Sequence, residues 1–163
     1  MKITICGHRK AAEILAETPN QRDIIFISSP DAKFAVEGSA RIAGLARECC
    51  EILFNDIAYP MGSLEHPEPH HVQKALDFAK GKDNLIVACQ AGISRSSAIA
   101  FVIQAAEVGL LEAFKILNPL VHQPNSLVIK HGAKLLGEQD MMAMMDKWKN
   151  ESEAAQWDGP FQL

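Results

Sequence analysis

The sequence predicts an α/β fold: a central, largely parallel four-stranded sheet flanked by helices. Three observations carry this expectation. Short β-branched runs recur at 2–6, 24–29, 50–56 and 84–90; longer stretches with apolar residues at three- and four-residue spacing lie between them; and strand signals cease after residue 90, so the helices that follow must cover the sheet. A length of 163 residues suits one domain around one core, taken here as 1–150 with a tail at 151–163.

In chain order, the first strand is Lys2-Ile3-Thr4-Ile5-Cys6, after which Gly7-His8-Arg9-Lys10 turns polar and basic. This opening lacks the continuous apolar core of a secretory signal. The second strand ends at Ser29, and the stretch 33–49 reads as a crossover helix leading to the third. Residues 68–80 read as a second crossover helix, with Gly81 as its stop. Beyond the fourth strand, helices are predicted over 94–107, 110–117, 125–136 and 138–149, separated by Gly109, by Pro119 to Pro124, and by Gly137. The end of the chain is polar, with Gly159-Pro160, and reads as an arm that frays or docks.

Composition excludes several classes. Hydrophobic residues make up 48%, charged residues 22% and aromatics 6%, as in a soluble globular protein. A net charge of −4 argues against a broad basic surface, so no nucleic-acid partner is expected, though a local anion site remains compatible. No apolar run is long enough to span a bilayer, so no membrane partner is expected. Four cysteines fit reduced thiols, and the expected location is cytoplasmic.

The informative segment is Leu85-Ile86-Val87-Ala88-Cys89-Gln90-Ala91-Gly92-Ile93-Ser94-Arg95-Ser96, a buried-looking strand that runs through a short turn into a helix. Five residues between Cys89 and Arg95 let the loop curl once, so that the amides of Gln90, Ala91, Gly92, Ile93 and Ser94 can form a nest for a tetrahedral oxyanion. The helix dipole adds to the same point, and the planar guanidinium of Arg95 can grip two phosphate oxygens. The same field favours the thiolate of Cys89, and Ser96 is placed to hydrogen-bond that sulfur. An unpaired arginine in the first turn of a helix opposes the dipole, so an anion is its natural partner.

Val87-Ala88-Cys89 to Arg95-Ser96 resembles the Cys-x5-Arg-Ser/Thr signature of protein tyrosine and dual-specificity phosphatases. The resemblance runs from Glu51 to Leu136 and is strongest to small bacterial members, where an Asp-Ile segment precedes the signature and a Pro-Asn pair follows it, as Asp56-Ile57 and Pro124-Asn125 do here. It implies a three-layer cysteine-phosphatase fold and a phosphatase that hydrolyses phosphate monoesters through a phosphocysteine on Cys89. It also implies that Asp56 serves as general acid and then base, that phosphate, vanadate or sulfate act as active-site anions, and that no cofactor or metal is needed. One departure is Ala88, where the family usually has a histidine; its absence leaves the loop and Arg95 to favour the thiolate. The loop interior lacks the extra lysines of phosphoinositide phosphatases, which favours a phosphorylated protein or a small aryl phosphate as substrate.

Other residues have blander expectations. Glu65, His66 and Glu68 are the substitutes for Asp56, and the cluster His66, His70, His71 reads as surface histidines rather than a metal site. Cys49-Cys50 reads as packing. Cys6, if its strand neighbours that of Cys89, is a candidate for a disulfide on oxidation. Met141 to Met145 reads as adaptable packing or a partner surface. The rival functions are a phosphate-reading module that no longer turns over, and a sulfurtransferase, whose loops do not require Arg95-Ser96.

Overall fold

The computed structural model describes residues 1–30 and 42–157. β1 (Lys2–Gly7) runs directly into α1 (His8–Glu17), followed by β2 (Asp23–Ser28) and β3 (Cys49–Leu53). A long loop leads to α2 (Pro69–Ala79), then β4 (Asn84–Cys89) and α3 (Arg95–Val108). α4 (Leu110–Ala113) with the 3-10 turn Phe114–Ile116, α5 (Ser126–Leu136) and α6 (Met141–Trp157) complete the chain.

Most elements lie where the apolar spacing puts them, and the exceptions have physical causes. α1 is unannounced because its first turn, His8-Arg9-Lys10, puts two cations at the positive end of the dipole, and Gly7 supplies no side-chain cap. Ala11 and Leu15, fully buried, hold it to the sheet, so packing outweighs a poor N-terminus. α6 continues past Asn150 to Trp157, beyond the point where the sequence turns polar. β3 stops at Leu53, so Asp56 stands in the loop rather than at a strand end. Of the predicted helix 33–49, residues up to 41 lie outside the described residues, and the chain turns through 44–48 before β3. α2 starts where the sequence predicts, with Pro69 in its first turn and a reciprocal capping box between Glu68 and His71.

The sheet order is β1-β4-β2-β3, with every pair parallel. Alternation divides the strands between two faces. Ile25, Ile27, Cys50, Ile52, Leu85, Val87 and Cys89 pack with α2, α3, α5 and α6 in one core. Ile24, Phe26, Ile86 and Ala88 pack with α1 and the 42–46 turn in the other. The result is three layers, with β2 and β4 buried along almost their whole length. Each large side chain sealed between layers, such as Phe101 or Ile99, contributes about 1.5–3 kcal/mol through removal from water. α3 and α5 approach closely at Gly132, where an added Cβ would sit 2.4 Å from a Val102 methyl. At the edge strand β3, Lys74 Nζ donates to the Glu51 carbonyl at 2.8 Å, occupying a backbone acceptor that would otherwise face solvent. Met141 and Met145 are buried, which is the packing role expected of that run. No helix among the described residues is long and apolar enough to cross a membrane.

Candidate active site

Parallel pairing brings the C-terminal ends of all four strands to one edge, where open α/β sheets bind ligands. Cys89 ends β4, and the next residues curl so that the Gly92 amide donates to Cys89 Sγ at 3.3 Å. This curl needs Gly92. Its φ is +79°, and a Cβ there would lie 2.5 Å from the backbone of Cys6 and of Gly7 in the neighbouring strand. Ser94 is the N-cap of α3, and Arg95 and Ser96 are its first residues, as the sequence predicts. Ser96 Oγ lies 3.1 Å from Cys89 Sγ, both atoms buried.

Arg95 is only 4% exposed. Its Nη1 donates to the Phe54 carbonyl at 2.9 Å and to Ser29 Oγ at 3.2 Å, so the ends of β2 and β3 fix one edge of the guanidinium. Among the described residues its Nε has no hydrogen-bond partner, and Asp56 Oδ2 is 3.9 Å away. A buried guanidinium with a donor unfilled is costly until an anion occupies it. Asp56 accepts hydrogen bonds from Ser94 Oγ at 2.7 Å and from Asn125 Nδ2 at 2.9 Å, both on Oδ1. Ser94 therefore also meets Asp56 through its hydroxyl, where the sequence had pointed mainly to its amide.

These groups line a cleft of about 660 Å³ whose other walls include Ser29, Ile93, Gln123, Pro124, Asn125 and Lys149. Ser29, Asn125 and Lys149 are absent from the sequence-derived site because they come from separate elements and meet only through the topology. The substitute acids fall elsewhere. Glu65 lines a different cleft beside His70 and His71, and His66 Nε2 is paired with Glu68 Oε1 at 2.6 Å.

Glu65, His70 and His71 bring their ligating atoms within 4.8 Å of one another. They do not fit a metal. His71 Nδ1 accepts the Glu68 amide at 3.1 Å, so the ring proton sits on Nε2, the atom nearest Glu65 that would have to ligate.

The expected approach of Cys6 to Cys89 is corrected by register. β1 does neighbour β4, but Cys6 pairs with Ala88 and shares its core face, while Cys89 points into the opposite core. A disulfide requires Cβ vectors that converge, which these do not without backbone movement. Burial, reinforced by the nearby Cys89 charge, also pushes the Cys6 thiol up to about 11. Cys6, Cys49, Cys50 and Cys89 are all free. With Ala88 sealed in the α1 core, His8 is a histidine on which the Arg95 charge acts. Its ring stacks on Phe26 at 4.0 Å and shares a 3.0 Å hydrogen bond with the Ile27 carbonyl. Burial lowers its pKa, the Ile27 carbonyl opposes that shift and the Arg95 charge adds to it.

This strand, loop and helix arrangement on a four-stranded parallel sheet is the fold of the protein tyrosine and dual-specificity phosphatases. Tk-PTP in its active form superposes with a TM-score of 0.53 at 14% identity, over 84% of this chain and 90% of that one. PTPMT1 gives 0.52 at 13% identity, over 96% and 94%. The complex of PTPMT1 with PI(5)P gives 0.50 at 14% identity, over 91% and 88%. No protein-family model and no curated protein matches the sequence.

Proposed function

We infer that this chain is a phosphatase that hydrolyses phosphate monoesters through a phosphocysteine on Cys89. The observation that carries the reading is Arg95: a buried guanidinium with Nε unfilled, opening on the same cleft as the cysteine. In the first step the Cys89 thiolate attacks phosphorus in line, the bond to the leaving oxygen breaks, and Asp56 gives that oxygen its proton. Arg95 and the amides of residues 90–94 hold the equatorial oxygens as charge develops. In the second step Asp56, now a carboxylate, takes a proton from water. The water oxygen attacks phosphorus, the S–P bond breaks, and Ser96 Oγ stabilises the departing thiolate.

The substrate class is a phosphorylated protein or a small aryl phosphate, because residues 90–94 contribute no lysine to the cradle. The PI(5)P complex of PTPMT1 makes a phosphoinositide the informative comparator. A second reading, a phosphate-reading module without turnover, is favoured by Ala88, which leaves no imidazole beside the thiol within its own strand. One experiment separates them: phosphate release from an aryl phosphate by the wild-type chain and by Cys89→Ser, across pH 5 to 8, with orthovanadate as competitor. Vanadate-sensitive release that vanishes in Cys89→Ser supports the enzyme. Vanadate binding with no release at any pH supports the module.

A further inference from the structure

Asn125 is 5% exposed, and the two ends of its amide serve different parts of the molecule. Oδ1 accepts from the Leu127 and Val128 amides, each at 3.1 Å, which satisfies the first turn of α5. Nδ2 donates to Asp56 Oδ1 at 2.9 Å and to the Ile57 carbonyl at 3.1 Å. The backbone amide of Asn125 donates to the Ser94 carbonyl at 3.3 Å. A helix cap needs only the acceptor, which serine or aspartate supplies as well. The two donors are left unexplained by capping, and asparagine is a side chain that carries an acceptor and two donors on one planar group.

We propose that Asn125 is the positioning residue that holds the Asp56 carboxyl and selects its proton-carrying oxygen. The proposal rests on the reading of Asp56 as general acid given above. Asn125 Nδ2 can only donate to Oδ1, and Ser94 Oγ donates to the same oxygen, so a carboxyl proton placed there would meet the amide donor and force the Ser94 hydroxyl to turn. The proton is thereby directed to Oδ2, the oxygen nearer Arg95 Nε. Asn125 caps α5 and Ser94 ends the cysteine loop, 69 and 38 residues from Asp56, and together they fix the acid before substrate arrives.

The test uses a series of aryl and alkyl phosphates graded in leaving-group basicity, because only a step that protonates the leaving oxygen discriminates along it. Asn125→Asp keeps the cap oxygen and replaces the donors with an acceptor that repels Asp56. Asn125→Ser keeps a cap oxygen and removes the donors without adding charge, and so covers the case in which the first variant does not fold. kcat is expected to fall about a hundredfold on the most basic leaving groups and only a few-fold on nitrophenol, with vanadate affinity kept in the uncharged Asn125→Ser variant. Combining either variant with Asp56→Asn should add little further loss, because both act through one proton. Equal losses along the series, or losses that add with Asp56→Asn, would overturn the proposal. Wild-type turnover that survives Cys89→Ser would instead overturn the phosphatase reading, so the two failures are distinguishable.

Discussion

At the scale of single residues, the proposed phosphatase reading gives the Cys89 sulfur hydrogen-bonding neighbours that would serve one half of the cycle or the other. Ser96 Oγ, 3.1 Å from Cys89 Sγ, would donate to a thiolate there, and on that reading its benefit falls on the step in which sulfur leaves. Ser96→Ala is therefore expected to slow phosphocysteine hydrolysis about tenfold or more while sparing its formation. Rapid-mixing kinetics should show a burst of released phenol and a phosphoenzyme trapped on acid quench. Cys6 gives the opposite expectation: peroxide treatment followed by peptide mapping should yield no Cys6–Cys89 cross-link, because the two side chains leave opposite faces of the sheet.

At the scale of elements, the loop between β4 and α3 depends on one backbone conformation. Gly92→Ala places a side chain at φ +79° and a methyl 2.5 Å from the backbone of β1, which the loop relieves only by moving. The expected outcome is a loss of about 1–3 kcal/mol in urea denaturation, together with loss of vanadate binding. The sequence made this loop legible because its chemistry is contiguous: Cys89 to Ser96 are neighbours in the chain, and a strand and a helix bracket them. Asp56 was legible only by resemblance, which also marked Asn125 in its Pro-Asn pair but gave it no role; the contacts themselves were not legible, since Ser29 reaches Arg95 across 66 residues and Asn125 reaches Asp56 across 69. α1 escaped for a local reason, its basic and uncapped first turn. The strands were found because β2 and β4 are sealed on both faces and so read as unbroken apolar runs.

At the scale of the whole molecule, stability should depend on pH through buried imidazoles. His71 is nearly buried, and burial with the neighbouring His70 lowers its pKa from 6.5 to about 4. Between those values the unfolded chain binds a proton that the folded chain refuses, so stability falls as pH drops from 6.5 towards 4 and is unaffected by His71 above that range. His8, His122 and His131 are shifted the same way, chiefly by burial. The melting temperature should fall across this window by about 2–4 °C for each kcal/mol lost. His71→Gln should flatten the fall, because glutamine can replace the capping-box acceptor without titrating.

The sheet order also dictates when the protein becomes competent during folding. β4 lies between β1 and β2 and pairs with both, yet it is the last strand among the described residues. Before it joins, β2 has β3 beside it and β1 has no partner, so a growing or refolding chain holds two fragments of sheet that nothing unites. Contacts between positions this distant in sequence form slowly, on the order of milliseconds to seconds. The strand that closes the sheet is the one that carries Cys89, and the backbone against which Gly92 rests belongs to β1. The cradle and the completed sheet therefore arise in a single late event, and a partly folded chain has an exposed thiol but no place to hold a phosphate.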